Sequence, residues 1–146
     1  MKAATISSLF FAVTGALAVP TKRAGQAVTI TGLRATISDQ EGTVQFSLWD
    51  PNYSDSTSAS LTWDRPGQPP ADTWSADHNY VVEFPNGVNY AKPEWLSFRI
   101  KRTGGGEIIE VALGSNADAS QWGCHKEEGM QVCIFTGDLI VTPYSS

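Results

Sequence analysis

From residue 28 onward, apolar side chains recur at every second position. Val28 and Ile30 alternate with Thr29 and Thr31, Gly32 interrupts, and a further run extends from Leu33 to Ile37. Val44, Phe46 and Leu48 share one face of residues 43–48, which Asp50-Pro51-Asn52 ends. Ala59, Leu61 and Trp63 share the next face. Residues 64–73 contain Pro66, Pro69 and Pro70, and proline lacks the N–H that a strand ladder needs. Tyr80, Val82 and Phe84 alternate up to Pro85, and Asn86-Gly87 signals a turn. Leu96, Phe98 and Ile100 form one more apolar face, and Ile109, Val111 and Leu113 another. The Gly104-Gly105-Gly106 run between them reads as a hairpin turn that needs positive φ. Residues 132–135 and 138–141 complete the set. Period two is the period of a strand, and no helical period occurs past the first residues. The pattern predicts an all-β, single-domain antiparallel β-sandwich or barrel of about eight short strands.

The first residues follow another pattern. Met1-Lys2, an apolar run from Leu9 and the small-residue ending Ala16-Leu17-Ala18 read as a secretory signal peptide over residues 1–18. The run is too short to span a bilayer. Lys22-Arg23 marks a dibasic cut that closes a propeptide at residues 19–23, leaving residues 24–146 as one secreted domain. Seven basic residues stand against fifteen acidic ones in that domain, a net charge of −8. Such a charge repels phosphate backbones and anionic lipids, so no nucleic-acid or membrane partner is expected.

In an oxidising compartment the isolated pair Cys124 and Cys133 reads as a disulfide across a short hairpin-like loop containing Gly129. Closing so small a ring stabilises by roughly 2–3 kcal/mol in the chain-entropy picture. No Cys-x-x-Cys is present and His125 is the only nearby histidine, so neither a redox nor a metal role is expected. Asn52-Tyr53-Ser54 is an N-glycosylation acceptor in a predicted loop.

Catalytic signals are weak. There is no nucleophile elbow, no His-Glu-x-x-His and no phosphate-binding loop, and no cofactor is expected. His78, Glu83 or Glu94, Arg99 or Arg102, and His125 supply the residue types of a secreted ribonuclease, which needs a base, an acid and a cation. The helix of such an enzyme is missing from the pattern, and the negative charge opposes an RNA substrate. Glu83, Glu94, Glu107 and Glu110 are the candidates for a glycosidase pair. Glu107 and Glu110 bracket two isoleucines and fall on opposite faces of a strand, so spacing selects no pair. Five tryptophans are the densest remaining signal: Trp49, Trp63, Trp74, Trp95 and Trp122. Most are expected to fill the core and edges of the domain, where indoles bury large areas. Trp74 and Trp122 sit among polar residues and are the candidates for exposed stacking on a ligand.

The runs VTITGLRATIS, TVQFSLWDPN, SASLTW and WSADHNYVVEFPNG, with a late WGCH…CIF hairpin, resemble the Alternaria major-allergen (Alt a 1-like) family. The resemblance spans most of residues 27–143. It implies a small secreted fungal β protein without catalysis, acting as an allergen, elicitor or effector. The partners it implies are plant defence proteins or small phenolic ligands. It also implies a bridge matching Cys124–Cys133. A second internal disulfide is expected from the SASLTW and WSAD segments, where this chain has Ala59 and Ala76 and no cysteine. The family's covalent dimer relies on a further cysteine, which leaves only a noncovalent homodimer here. The expected function is binding at a host interface. A carbohydrate-binding module using exposed tryptophans is the alternative, with polysaccharide as partner, and a small secreted hydrolase or ribonuclease comes third.

Overall fold

Alternation over residues 28–64 builds three long antiparallel strands, β1 (Val28–Ile37), β2 (Glu41–Asp50) and β3 (Asp55–Asp64). A computed structural model describes residues 25–114 and 121–145. The predicted leader, the dibasic pair and Ala24 lie outside the described residues. Eight shorter strands follow: β4 (Thr73–Trp74), β5 (Tyr80–Glu83), β6 (Ser97–Arg102), β7 (Glu107–Ala112), β8 (Trp122–Glu127), β9 (Met130–Phe135), β10 (Leu139–Val141) and β11 (Tyr144–Ser145). One sheet runs β3-β2-β1-β9-β8, with β10 beside the first half of β1; the other runs β11-β7-β6-β5-β4. Every pairing is antiparallel. The two sheets face each other across one core, and no described residue is helical. The all-β sandwich is as the alternation predicts.

Eleven strands replace the expected eight because β4, β8 and β11 carry no apolar alternation. β4 and β11 are two residues each, and β8 is an edge strand with four exposed positions in six. Each is held by its backbone ladder to a neighbour, a bond that leaves no mark on side-chain pattern.

Gly32 is a bulge inside one strand and not a break between two. Its φ is 61°, and the register with β2 slips between Thr31 and Arg34. The extra residue lets Ile30 and Leu33 both face inward, so two apolar half-strands join one core. It also divides the pairing of β1, whose first half meets β10 and whose second half meets β9. The triglycine turn forms as predicted, with φ of 72° at Gly104. Asn86-Gly87 also turns, through Gly87 N to Phe84 O at 3.0 Å, but it opens a long connection to β6 and not a hairpin.

The core is aromatic at its centre. Phe46 of β2 stacks on Phe98 of β6 with centroids 5.3 Å apart, Phe84 lies 5.6 Å from Phe98, and Trp63 of β3 lies 6.2 Å from Phe84. Trp63 covers Gly42, its cross-strand partner, where even a methyl group would collide with the indole.

Cys124 and Cys133 are direct cross-strand partners on β8 and β9, joined by a disulfide with Cα atoms 4.0 Å apart. Glu128 and Gly129 connect these strands with positive φ at both positions, the requirement of a tight type I′ turn. The chain has two cysteines, so this bridge leaves none for a covalent dimer. Ladder and turn both hold the hairpin without the sulfurs. Reduction should therefore lower the melting temperature while leaving a cooperative thermal transition; a reduced protein without a transition would show that the bridge carries the fold.

Candidate functional site

The inward positions at one end of the sandwich switch from apolar to polar. Asp50 ends β2, Asp55 starts β3, Tyr80 starts β5 and Arg102 ends β6. Tyr80 donates its hydroxyl to Asp50 Oδ2 at 3.0 Å, and Arg102 Nη1 donates to Tyr80 Oη at 2.7 Å and to Asp55 Oδ2 at 2.8 Å. The guanidinium also lies over the Tyr53 ring, 3.9 Å from its centroid. Burial, then the neighbouring Asp50 charge, pushes the Tyr80 hydroxyl well above the ordinary tyrosine range, against the opposing pull of Arg102. It therefore stays a donor. A charge pair closed on itself in this way is a cross-sheet clamp, and its groups are spent on one another.

Asn52 belongs to the same end and is only 2 % exposed. Its Nδ2, the atom a glycan would occupy, donates to Gln26 O at 2.8 Å and to Asp50 Oδ1 at 3.0 Å. Its Oδ1 accepts from Gln26 N at 3.0 Å. This packing and a glycan on Nδ2 exclude one another. Protein expressed through a eukaryotic secretory pathway should show an unmodified Asn52 peptide by mass spectrometry, and a glycopeptide there would contradict the packing of this turn.

Outside the clamp, Ser75, Asp77 and Asn79 shape the turn into β5. Ser75 Oγ donates to Asp77 Oδ1 at 2.6 Å, and the backbone and side-chain amides of Asn79 also donate to this carboxylate. Desolvation acts to raise the Asp77 pKa, yet these donors outweigh it and hold the group at about 2 instead of 3.8. The folded state thus favours the ionised form. The stability this supplies is complete above the unfolded value near 4 and is lost as pH falls toward 2. Melting temperatures should drop across that window, and Asp77→Asn should flatten the drop; an unchanged slope in the variant would remove Asp77 from the cause.

The residues expected to carry hydrolytic chemistry are dispersed. His78 sits in the β4–β5 turn with its ring 5.8 Å from that of Trp74. His125 lies on the edge strand β8 of the other sheet, exposed, 3.5 Å from Glu127. Glu83 pairs with Lys101 at 2.7 Å, and Arg99 lies 3.9 Å from Glu110. Glu107 and Glu110 fall on opposite faces of β7, bound to Tyr53 and Tyr144 respectively. No base, acid and cation converge among these groups. Among the described residues no three His, Cys, Asp or Glu side chains are grouped to hold a metal.

The opposite end of the sandwich has a cleft of about 390 Å³ between the 84–96 connection and the β8–β9 hairpin. Arg65 stacks on Tyr90 at 4.1 Å and donates to Ser38 O at 2.7 Å. Tyr90 in turn accepts from Trp63 Nε1 at 2.7 Å and donates to Gly67 O. Arg65 and Lys126 are matched there by Asp39 and Glu94, so the cleft has no dominant charge.

Of the two predicted stacking residues, Trp74 is exposed (46 %) and Trp122 is not. Trp122 is 6 % exposed, and its Nε1 donates to Glu94 O at 2.8 Å, because the 84–96 connection folds over it. On β8 the indole points in, while Gly123 and His125 face outward. The expectation that most tryptophans are buried in the core and edges is also corrected. Only Trp63 and Trp122 are; Trp49 (45 %) and Trp95 (51 %) join Trp74 at the surface. The exposure of Trp49 was readable from alternation: with Val44, Phe46 and Leu48 inward, position 49 must face outward. The segments to which the family resemblance assigns a second disulfide do meet, Ala76 N donating to Ser58 O at 2.8 Å. The fold and its surface define an all-β sandwich with exposed indoles. The chain matches no protein-family model and no curated protein.

Proposed function

We propose that this chain is a secreted protein that works by binding at a host–fungus interface, and not by catalysis. The observation that carries this reading is the exposure of Trp49, Trp74 and Trp95 on a domain whose core is already filled by Phe46, Phe84, Phe98, Trp63 and Trp122. Indoles left in water are poor for solubility and good for contact, since each presents a rigid apolar plane with a polar edge. The Cys124–Cys133 disulfide is compatible with an oxidising compartment. The likeness of its segments to the Alternaria major-allergen family supports a fungal origin and a role as elicitor or effector. Plant defence proteins and small phenolic compounds are the partners this resemblance suggests, and a noncovalent homodimer belongs to the same reading.

A second reading, a carbohydrate-binding module, is favoured by the same indoles. A pull-down with the purified secreted protein separates the two, using plant apoplastic fluid in one arm and insoluble fungal and plant polysaccharides in the other. Recovery of a defence protein supports the first reading, and retention on polysaccharide the second. Capture of nothing in either arm removes binding as the function.

A further inference from the structure

The outer faces of the two sheets differ in kind. On the five-stranded sheet the outward positions carry ion pairs, Lys101 with Glu83 and Arg99 with Glu110. On β1, β2 and β3 the outward positions are serine, threonine and glutamine almost throughout. Cross-strand rows read Thr31–Ser47–Ser58 and Arg34–Gln45–Ser60, with Thr29–Trp49–Ser56 next along the strands. Arg34 is the sole charge in these rows, and acidic side chains return only at the far end of the hairpin, at Glu41 and Asp64. Residues 43–49 and 56–62 thus carry no acidic side chain, on a chain whose secreted part has a net charge of −8.

A shallow groove of about 270 Å³ crosses this face, lined by Gly32, Gln45, Ser47, Ser58 and Ser60, with Phe46 and Ala59 between them. The bulge at Gly32 helps form it: a Cβ there would meet nothing within 4 Å, so the missing side chain leaves open space. Trp49 lies two residues beyond Ser47 on the same face of β2, about 7 Å away along the strand. An aromatic platform thus adjoins a groove floored by hydroxyls and one amide.

We propose that the outer face of β1–β2–β3, with Trp49 as its stacking platform, binds a neutral polysaccharide chain. The assignment deepens the second reading above and rests on the chain being a binding domain. Charge complementarity selects the ligand. A neutral glycan has hydroxyls that both donate and accept, as serine and threonine do, and it requires no counter-charge. Its C–H faces suit the apolar plane of an indole. An anionic polymer would find only Arg34 to meet it. A protein partner fits less well, because serine is depleted from protein interfaces and serine and threonine are rare among their energetic centres.

The test is depletion of the full secreted protein from solution by insoluble cellulose, chitin and β-1,3-glucan, with polygalacturonate as an anionic control. Trp49→Ala and Ser58→Arg probe the face, Trp74→Ala tests the rival indole on the other sheet, Tyr144→Ala on β11 is the control, and circular dichroism checks that each variant is folded. Retention on at least one neutral polymer is expected, insensitive to salt. Trp49→Ala should weaken it about tenfold, the scale of one lost aromatic stack. Ser58→Arg should weaken it as well, and Tyr144→Ala should leave it unchanged. Retention that survives Trp49→Ala and Ser58→Arg but fails in Trp74→Ala overturns this face while keeping the carbohydrate reading. No retention on any neutral polymer overturns the glycan ligand, and the apoplastic pull-down then decides separately whether the chain is a binding domain at all.

Discussion

Phe98→Ala should lower the unfolding free energy by about 3–5 kcal/mol, the range for truncating a fully buried aromatic. Phe98 is almost wholly buried on β6, stacks on Phe46 from the opposite sheet and packs tilted against Phe84, just past the end of β5. Removing the ring loses its transfer free energy and leaves a hole that two rigid rings cannot fill. The sheets meet through this contact, so relaxation would require one sheet to move against the other. Urea titration should show a lower midpoint with an unchanged slope, since the surface exposed on unfolding stays the same. Ile134→Ala is the comparison, because Ile134 is exposed on β9. A surface truncation of that kind should stay within about 0.5 kcal/mol. A loss below about 1 kcal/mol for Phe98→Ala would contradict the inter-sheet stack.

Asp50→Ala should cost a similar amount, about 3–5 kcal/mol, for a different reason. Asp50 is buried and accepts from Tyr80 Oη at 3.0 Å, Asn52 N at 2.9 Å and Asn52 Nδ2 at 3.0 Å. Its removal leaves several donors without a partner in a place water does not reach. It also breaks the line that runs from Asp50 through the Tyr80 hydroxyl to Arg102. Tyr80→Phe deletes two hydrogen bonds, to Asp50 and from Arg102, but each of those groups keeps another partner, so it should cost less, about 1.5–3 kcal/mol. The double variant should lose less than the sum, because both substitutions cut the same bond. Strict additivity would show that the two side chains act independently, and the clamp would then be no single unit.

How far residue patterns foresaw this protein can be judged from individual positions. Val44, Phe46 and Leu48 face the core as alternation requires, and the same rule placed Ala59, Leu61 and Trp63. Cys124 and Cys133 pair across a hairpin, as their spacing around Gly129 suggests. Trp122 was misjudged because neighbours in sequence are not neighbours in a sheet. Glu94 and the connection around it cover the indole from 28 residues away. The burial of Asn52, a possible acceptor by its sequence, has a related cause: its partner is Gln26, 26 residues earlier. The clamp had no signature at all. Asp50, Tyr80 and Arg102 are ordinary polar residues at strand ends until register sets Tyr80 opposite Arg102 and the two sheets close on Asp50.

The division follows from the range of the forces involved. Side-chain direction along a strand is a local property of backbone geometry, so period two already sorts this chain into inward and outward faces and makes it an all-β protein. It equally placed the neutral rows and Trp49 on the outside of the long hairpin. Which strands pair across many residues is another matter. β1 divides between β9 and β10 at a glycine bulge, and β4 docks on β5 by backbone bonds alone. Those choices are made by burial and hydrogen bonding summed over the whole domain. Only that closure buries Trp122, leaves three other indoles in water and brings a carboxylate, a phenol and a guanidinium into one line.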